Sequence, residues 1–149
     1  MVNTEVEKAL ETGTVRIVVA DDHEVMRLGI RNLVEARSNW KVCAEASNGL
    51  EAVDETVRHC PDLVILDITM PTMNGLEAAG QIAASHPEIP IILFSLHLSD
   101  ALMNTFKGGT IRGAVSKSEA GRDLVDAIET VLNGGTFFHG QKSIPNACS

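Results

Sequence analysis

The chain has 149 residues and a net charge of −8 at neutral pH, a length that suits one domain able to bury its own core. The acidic balance lacks the basic footprint that nucleic-acid binding demands. No apolar stretch approaches the roughly 18 residues of a membrane span.

Residues 1–14 carry acidic side chains and one lysine rather than the positive and apolar segments of a secretory signal, and read as an N-terminal extension. The first strand is Val15 to Ala20, apolar almost throughout as a strand buried on both faces should be, and it runs straight into Asp21-Asp22. A helix follows from His23 to Arg37, with Val25, Met26, Ile30, Leu33 and Val34 on one stripe and Asp22 as its N-cap. Trp40 to Ala46 alternates apolar and polar residues, the pattern of an edge strand, and contains Cys43 as a small core residue. The second helix spans Gly49 to His59 and stops near Pro61.

Asp62 to Asp67 is the central strand and ends in a carboxylate before the loop Ile68-Thr69-Met70-Pro71-Thr72-Met73-Asn74-Gly75. Asn74 or Gly75 opens a third helix to about Ser85, which His86-Pro87 ends. The fourth strand, Ile91 to Ser95, starts after Pro90, and a shorter helix follows from Ser99 to Lys107. Gly113 to Ser116 is a brief fifth strand. The last helix, Ser118 to Asn133, takes Ser118 as cap and stops at Gly134-Gly135. Three cysteines at unrelated spacings, Cys43, Cys60 and Cys148, form neither a disulfide framework nor a zinc pattern and suit a reducing, cytoplasmic setting.

Strands alternating with helices define an α/β protein with a parallel sheet. The expected architecture is a flavodoxin-like (βα)5 three-layer sandwich with five strands in the order 2-1-3-4-5. It occupies residues 15–138 and leaves 139–149 as a tail or the start of a linker. In that order the first and third strands adjoin at the topological switch point, which gathers Asp21, Asp22 and Asp67 in one crevice.

Two carboxylates about 4–5 Å apart repel by roughly 3–4 kcal/mol at an effective dielectric near 20. Three of them either keep protons or hold a hard cation, and oxygen ligands eked out with water suit Mg²⁺, which works beside phosphate. Ser95 adds a hydroxyl at the end of the fourth strand and Lys117 a compact cation after the fifth. Metal, hydroxyl and ammonium around one carboxylate are what phosphoryl transfer needs. Taken singly, Asp22 could be only a cap, Asp67 a turn former, Ser95 a strand-end hydroxyl and Lys117 a surface lysine. Their placement at the ends of strands one, three, four and five favours the joint reading.

With these residues in place, the chain resembles a response-regulator receiver domain of two-component signalling. The resemblance rests on Asp21-Asp22, on Asp67 in LVILDITMPTMNGLEA, on Ser95 in IILFS and on Lys117 in GAVSKSEAG, and it covers Val15 to Phe138. The stretches ADDHEVMRLGIRNLV and AIETVLNGGTFF are most similar to receivers of LuxR/FixJ-type regulators. The resemblance implies that Asp67 accepts a phosphoryl group from a sensor histidine kinase. Asp21, Asp22, Asp67 and the backbone carbonyl of Thr69 would hold Mg²⁺, and Lys117 would pair with the phosphoryl oxygens. Ser95 would turn toward them and report to the face formed by the fourth helix, fifth strand and fifth helix. Pro71 and Gly75 would shape the loop after Asp67. Such a domain is a switch that assists its own phosphorylation and dephosphorylation rather than an enzyme. A homodimer through the first and fifth helices or the fourth-helix face would fit it.

The pattern departs from the family at Ala114, where receivers usually carry Tyr or Phe. A ring there can bury 150–250 Å², so the usual coupling to Ser95 is affected. His97 stands where such domains tune dephosphorylation, or is a surface loop residue. LuxR/FixJ-type regulators carry a helix-turn-helix domain after the receiver, so DNA contact would come from such a domain and not from this one. The alternatives are a receiver cut from such a regulator, a pseudo-receiver scaffold, and a phosphatase with an aspartyl nucleophile. The phosphatase would need an aspartate where Thr69 stands. A nucleotide or flavin binder would need a glycine-rich loop where Asp21-Asp22-His23 stands.

Overall fold

The computed structural model describes residues 13–96, 98–99 and 109–138. In chain order the elements are β1 (Val15–Ala20), α1 (Glu24–Glu35), β2 (Trp40–Ala46), α2 (Gly49–His59), β3 (Leu63–Asp67), α3 (Gly75–Ser85), β4 (Ile91–Ser95), β5 (Ile111–Ser116), a 3₁₀ turn (Lys117–Glu119), α4 (Ala120–Leu132) and β6 (Phe137–Phe138). The strands pair in parallel in the order β2-β1-β3-β4-β5-β6. The expected order 2-1-3-4-5 is therefore present, with one addition: the two-residue β6 extends the edge beside β5.

Each face of the sheet carries its own core. On one, Ile17, Val19, Ile65, Phe94 and Val115 pack with Ile30 and Val34 of α1 and Leu124, Ala127 and Ile128 of α4. On the other, Val18, Val64, Leu66 and Leu93 pack with Ala52 of α2 and Ala78, Ala79 and Ile82 of α3. Every residue of β3 and β4 is buried. Strands covered on both faces are apolar at every position, and the polar residues at their C-terminal ends are exceptions that need a reason.

The expected helix stripe is right for Ile30 and Val34 but not for Val25, which is 81% exposed. It lies in the first turn of α1, whose buried residues, Ile30 and Val34, come later in the helix. Nor does Asp22 cap α1: the N-cap residue is His23, with no side-chain cap bond. At the other end, Ser116 rather than Ser118 accepts the capping bond, because a 3₁₀ turn intervenes before α4 begins at Ala120. Cys43 is only half-buried. Asn74 opens α3 with a full capping box, its side chain accepting from Glu77 N and Glu77 reaching back to Asn74 N. His97 and nearly all of the helix expected over 99–107 lie outside the described residues, as do most of the extension and the tail.

Candidate functional site

The chain leaves β1 at Ala20 and β3 at Asp67, two neighbouring strands, so both following loops open over the same end of the sheet. Asp21 is fully buried and its N–H continues the ladder to the Ala46 carbonyl of β2 at 3.0 Å. Its Oδ1 turns back to accept from His23 N at 2.8 Å, an Asx-turn that bends the chain into α1. Asp67 is 2% exposed, and its Oδ1 accepts from Thr69 N at 3.2 Å, the same device at the end of β3.

Lys117 follows β5 and reaches back across the ends of β4 and β3. Its ammonium lies 2.8 Å from Asp21 Oδ2 and 3.1 Å from Asp67 Oδ2, with only 6% of the side chain exposed. The Phe94 ring centroid is 5.9 Å away. Ser95, 6% exposed, pairs in register with Ser116 next to the lysine. The structure thus brings Asp21, Asp67 and Lys117 into direct contact and sets Ser95 and Thr69 at the adjoining strand and loop positions.

Electrostatics follow from burial. Desolvation pushes the Asp67 carboxyl above the ordinary value; the Lys117 ammonium and Thr69 N–H oppose this, while the Asp21 charge adds to it. Burial works against the Lys117 charge, but the two carboxylates outweigh it and hold the ammonium above the usual lysine value. One cation shared between two buried carboxylates leaves net negative charge in the crevice. Among the described residues, the ion pair with the Lys117 ammonium is the one polar contact that Asp21 Oδ2 makes.

Asp22 is exposed at the rim, with 31% of its side chain open to solvent. Ligand atoms of Asp21, Asp22, His23 and Asp67 all lie within 4.8 Å of one another. The set is dominated by hard oxygens, holds an under-satisfied buried one, and opens to water at Asp22, which fits a small divalent cation. Sequence reasoning passed over His23, whose Nδ1 lies 3.2 Å from Asp21 Oδ1 and 3.1 Å from Asp22 Oδ1. It also passed over Arg27, whose guanidinium donates to the Asp21 carbonyl. The only signal was spacing, since His23 and Arg27 sit one helical turn apart at the end of α1 nearest the acids. Ala114 is fully buried, and its neighbour across the sheet edge is Phe138.

A doubly wound parallel sheet with acids, a hydroxyl and a lysine gathered at its strand ends defines the flavodoxin-like class of α/β domains. Residues 17–129 match the response regulator receiver domain, and the chain belongs to that family. It is 35% identical to the response regulator UvrY of Escherichia coli K12, over 83% of this chain and 56% of that protein. It is 34% identical to the oxygen regulatory protein NreC of Staphylococcus epidermidis, over 82% of this chain and 56% of the other. A solved LuxR-family two-component response regulator from Aurantimonas sp. SI85-9A1 superposes with a TM-score of 0.78 at 35% identity, covering 83% of this chain and 89% of that one. The chain spans just over half the length of the curated relatives it matches. No helix among the described residues is long and apolar enough to cross a membrane.

Proposed function

We propose that this domain accepts a phosphoryl group from a sensor histidine kinase on Asp67 and thereby switches a partner-binding or dimerisation surface. The observation that carries the reading is the buried ammonium of Lys117 held between Asp21 and Asp67, at 2.8 and 3.1 Å. An Asp67 oxygen attacks the phosphorus of a phosphohistidine. The new O–P bond forms as the P–N bond breaks, and the imidazole nitrogen leaves with the bonding pair and takes a proton from solvent. Lys117 then pairs with a phosphoryl oxygen and offsets the developing charge. Asp21, Asp22, Asp67 and the Thr69 carbonyl are the residues assigned to Mg²⁺. When bound, the ion screens the incoming phosphoryl oxygens from the carboxylates.

Phosphorylation adds roughly −1.5 to −2 charge and three acceptors at one point, and Ser95 and the Thr69 loop are the elements placed to answer them. DNA contact is assigned to a separate output domain in a longer regulator, since the net charge of −8 disfavours a polyanion here. The test is acetyl phosphate or beryllofluoride with Mg²⁺, read by intact mass or by spectral change. Wild type gains one phosphoryl group or shifts its spectrum, and Asp67→Asn does neither. If the two proteins behave alike, the proposal fails.

A further inference from the structure

Arg27 makes no bond to the carboxyl groups of the crevice among the described residues, yet it is bonded to the backbone of Asp21. Its own N–H donates to the His23 carbonyl at 3.1 Å in the first turn of α1. The guanidinium points back over the sheet end: Nη1 donates to the Asp21 carbonyl at 2.7 Å and Nε to Glu45 Oε1 at 2.8 Å. Only 17% of the side chain is exposed. Glu45, on β2, is held from the other side by Arg31, whose Nε donates to Oε2 at 3.0 Å. Burial would raise the Glu45 carboxyl, but the two guanidiniums outweigh it and keep it below the ordinary value. The anchor is therefore a charged one at neutral pH.

The Asp21 peptide needs such an anchor. Its N–H makes the last ladder bond to β2, at Ala46, and beyond that point strand pairing no longer dictates where the chain heads. The Asp21 carbonyl, Asp22 and His23 form the short turn between β1 and α1, and both the buried Asp21 carboxylate and the rim carboxylate of Asp22 hang from it. We infer that Arg27 is a positioning residue for the acidic crevice. By clamping the Asp21 carbonyl to Glu45, it fixes the direction in which Asp21 and Asp22 present their oxygens to a hard divalent cation. This rests on reading the crevice as a cation site. It adds that the affinity depends on a side chain that does not touch the cation. A guanidinium suits the task because its planar fork aims two donors at two acceptors in fixed geometry, which an ammonium cannot do. Arg31 serves as the internal control: it lies on the same helix and binds the same Glu45, but makes no bond to Asp21.

The experiment is calorimetric titration of the full chain with Mg²⁺, paired with urea unfolding, for wild type, Arg27→Gln, Arg27→Lys and Arg31→Gln. Arg27→Gln is expected to weaken Mg²⁺ binding roughly 10-fold or more, with Arg27→Lys in between and Arg31→Gln within about twofold of wild type, as for an outer-shell partner. Stability losses in the Arg27 and Arg31 variants need not differ, so affinity and not folding is the readout. Wild-type affinity in Arg27→Gln overturns the inference, and so does an equal weakening in Arg31→Gln. Should Arg27→Gln not fold, Arg27→Lys decides: weaker than Arg31→Gln supports the clamp, equal to it overturns the clamp. A wild type that takes up no Mg²⁺ at millimolar concentration overturns the cation reading and the clamp together. A wild type that binds beside an unaffected Arg27→Gln overturns the clamp alone.

Discussion

At Asp67 the stability of the fold and the proposed phosphoacceptor role pull in opposite directions. In the unfolded chain its carboxyl titrates near 3.8, and folding moves it upward because burial disfavours the charge. Between those two values the folded protein holds the extra proton, so stability falls as pH rises through the window and stays reduced above it. Asp67→Asn removes that burden while Lys117 keeps Asp21 as a partner. In metal-free buffer at pH 7 it should unfold at higher urea than wild type, by on the order of 1 kcal/mol. The gap should close below about pH 4, where the unfolded carboxyl is protonated too. Adding Mg²⁺ should reverse the order, since a ligand at 100 times its Kd stabilises by about 2.7 kcal/mol and Asn offers a weaker site. Equal urea midpoints at pH 7 would show that the buried charge is fully offset. Asp21, Asp22, Asp67 and Lys117 could be picked out in the sequence because each follows an apolar strand at its carboxyl end. Arg27 and Glu45 could not, because their pairing depends on a helix and a strand meeting in space.

At the scale of elements, the loop after β3 is held by two helix starts. Gly49 N donates to the Met73 carbonyl at 2.9 Å, and Gly75 N donates to the Ile68 carbonyl at 2.8 Å. Between them Met73 N donates to the Pro71 carbonyl at 2.7 Å, a three-residue turn that forces Thr72 to φ 69°. A β-branched residue in that region is strained, and such strain collects beside functional groups. A Cβ at Gly75 would fall 2.1 Å from the Asp67 carbonyl oxygen, whereas one at Gly80, in the same helix, would meet nothing within 4 Å. Gly75→Ala should therefore cost about 1–3 kcal/mol in urea unfolding by forcing backbone against backbone. Because the clash is with the peptide of Asp67 itself, it should also blunt the beryllofluoride response. Gly80→Ala should instead gain about 0.5–1 kcal/mol from helix propensity and leave the response intact. Comparable losses in both would mean that α3, and not the loop, is the sensitive part. The start of α3 was legible because Asn74 and Glu77 spell a capping box. The cap at Ser116 was not, because a 3₁₀ turn leaves little periodicity to read.

For the molecule as a whole, strand alternation and the switch point placed five strands correctly, and β6 escaped because two residues carry no period. That short strand bears on the most conspicuous departure in the chain. Ala114 is fully buried on β5, where the family resemblance leads one to expect a ring, and Phe138 is its register partner on β6, 6% exposed. Parallel partners point to the same face of the sheet, and both residues belong to the core shared with Leu93 and Met70. A ring brought in from the edge strand thus lies beside the alanine. If Phe138 occupies the space a ring at 114 would need, the two positions are coupled through volume. Phe138→Ala should then destabilise by about 3 kcal/mol, as for a buried ring truncated to a methyl. Ala114→Phe should cost about 1–3 kcal/mol by overpacking against the resident ring. The double variant should cost less than the sum of the two, with an interaction of at least about 1 kcal/mol in the urea double-mutant cycle. Additive costs would mean that the rings do not compete for one space.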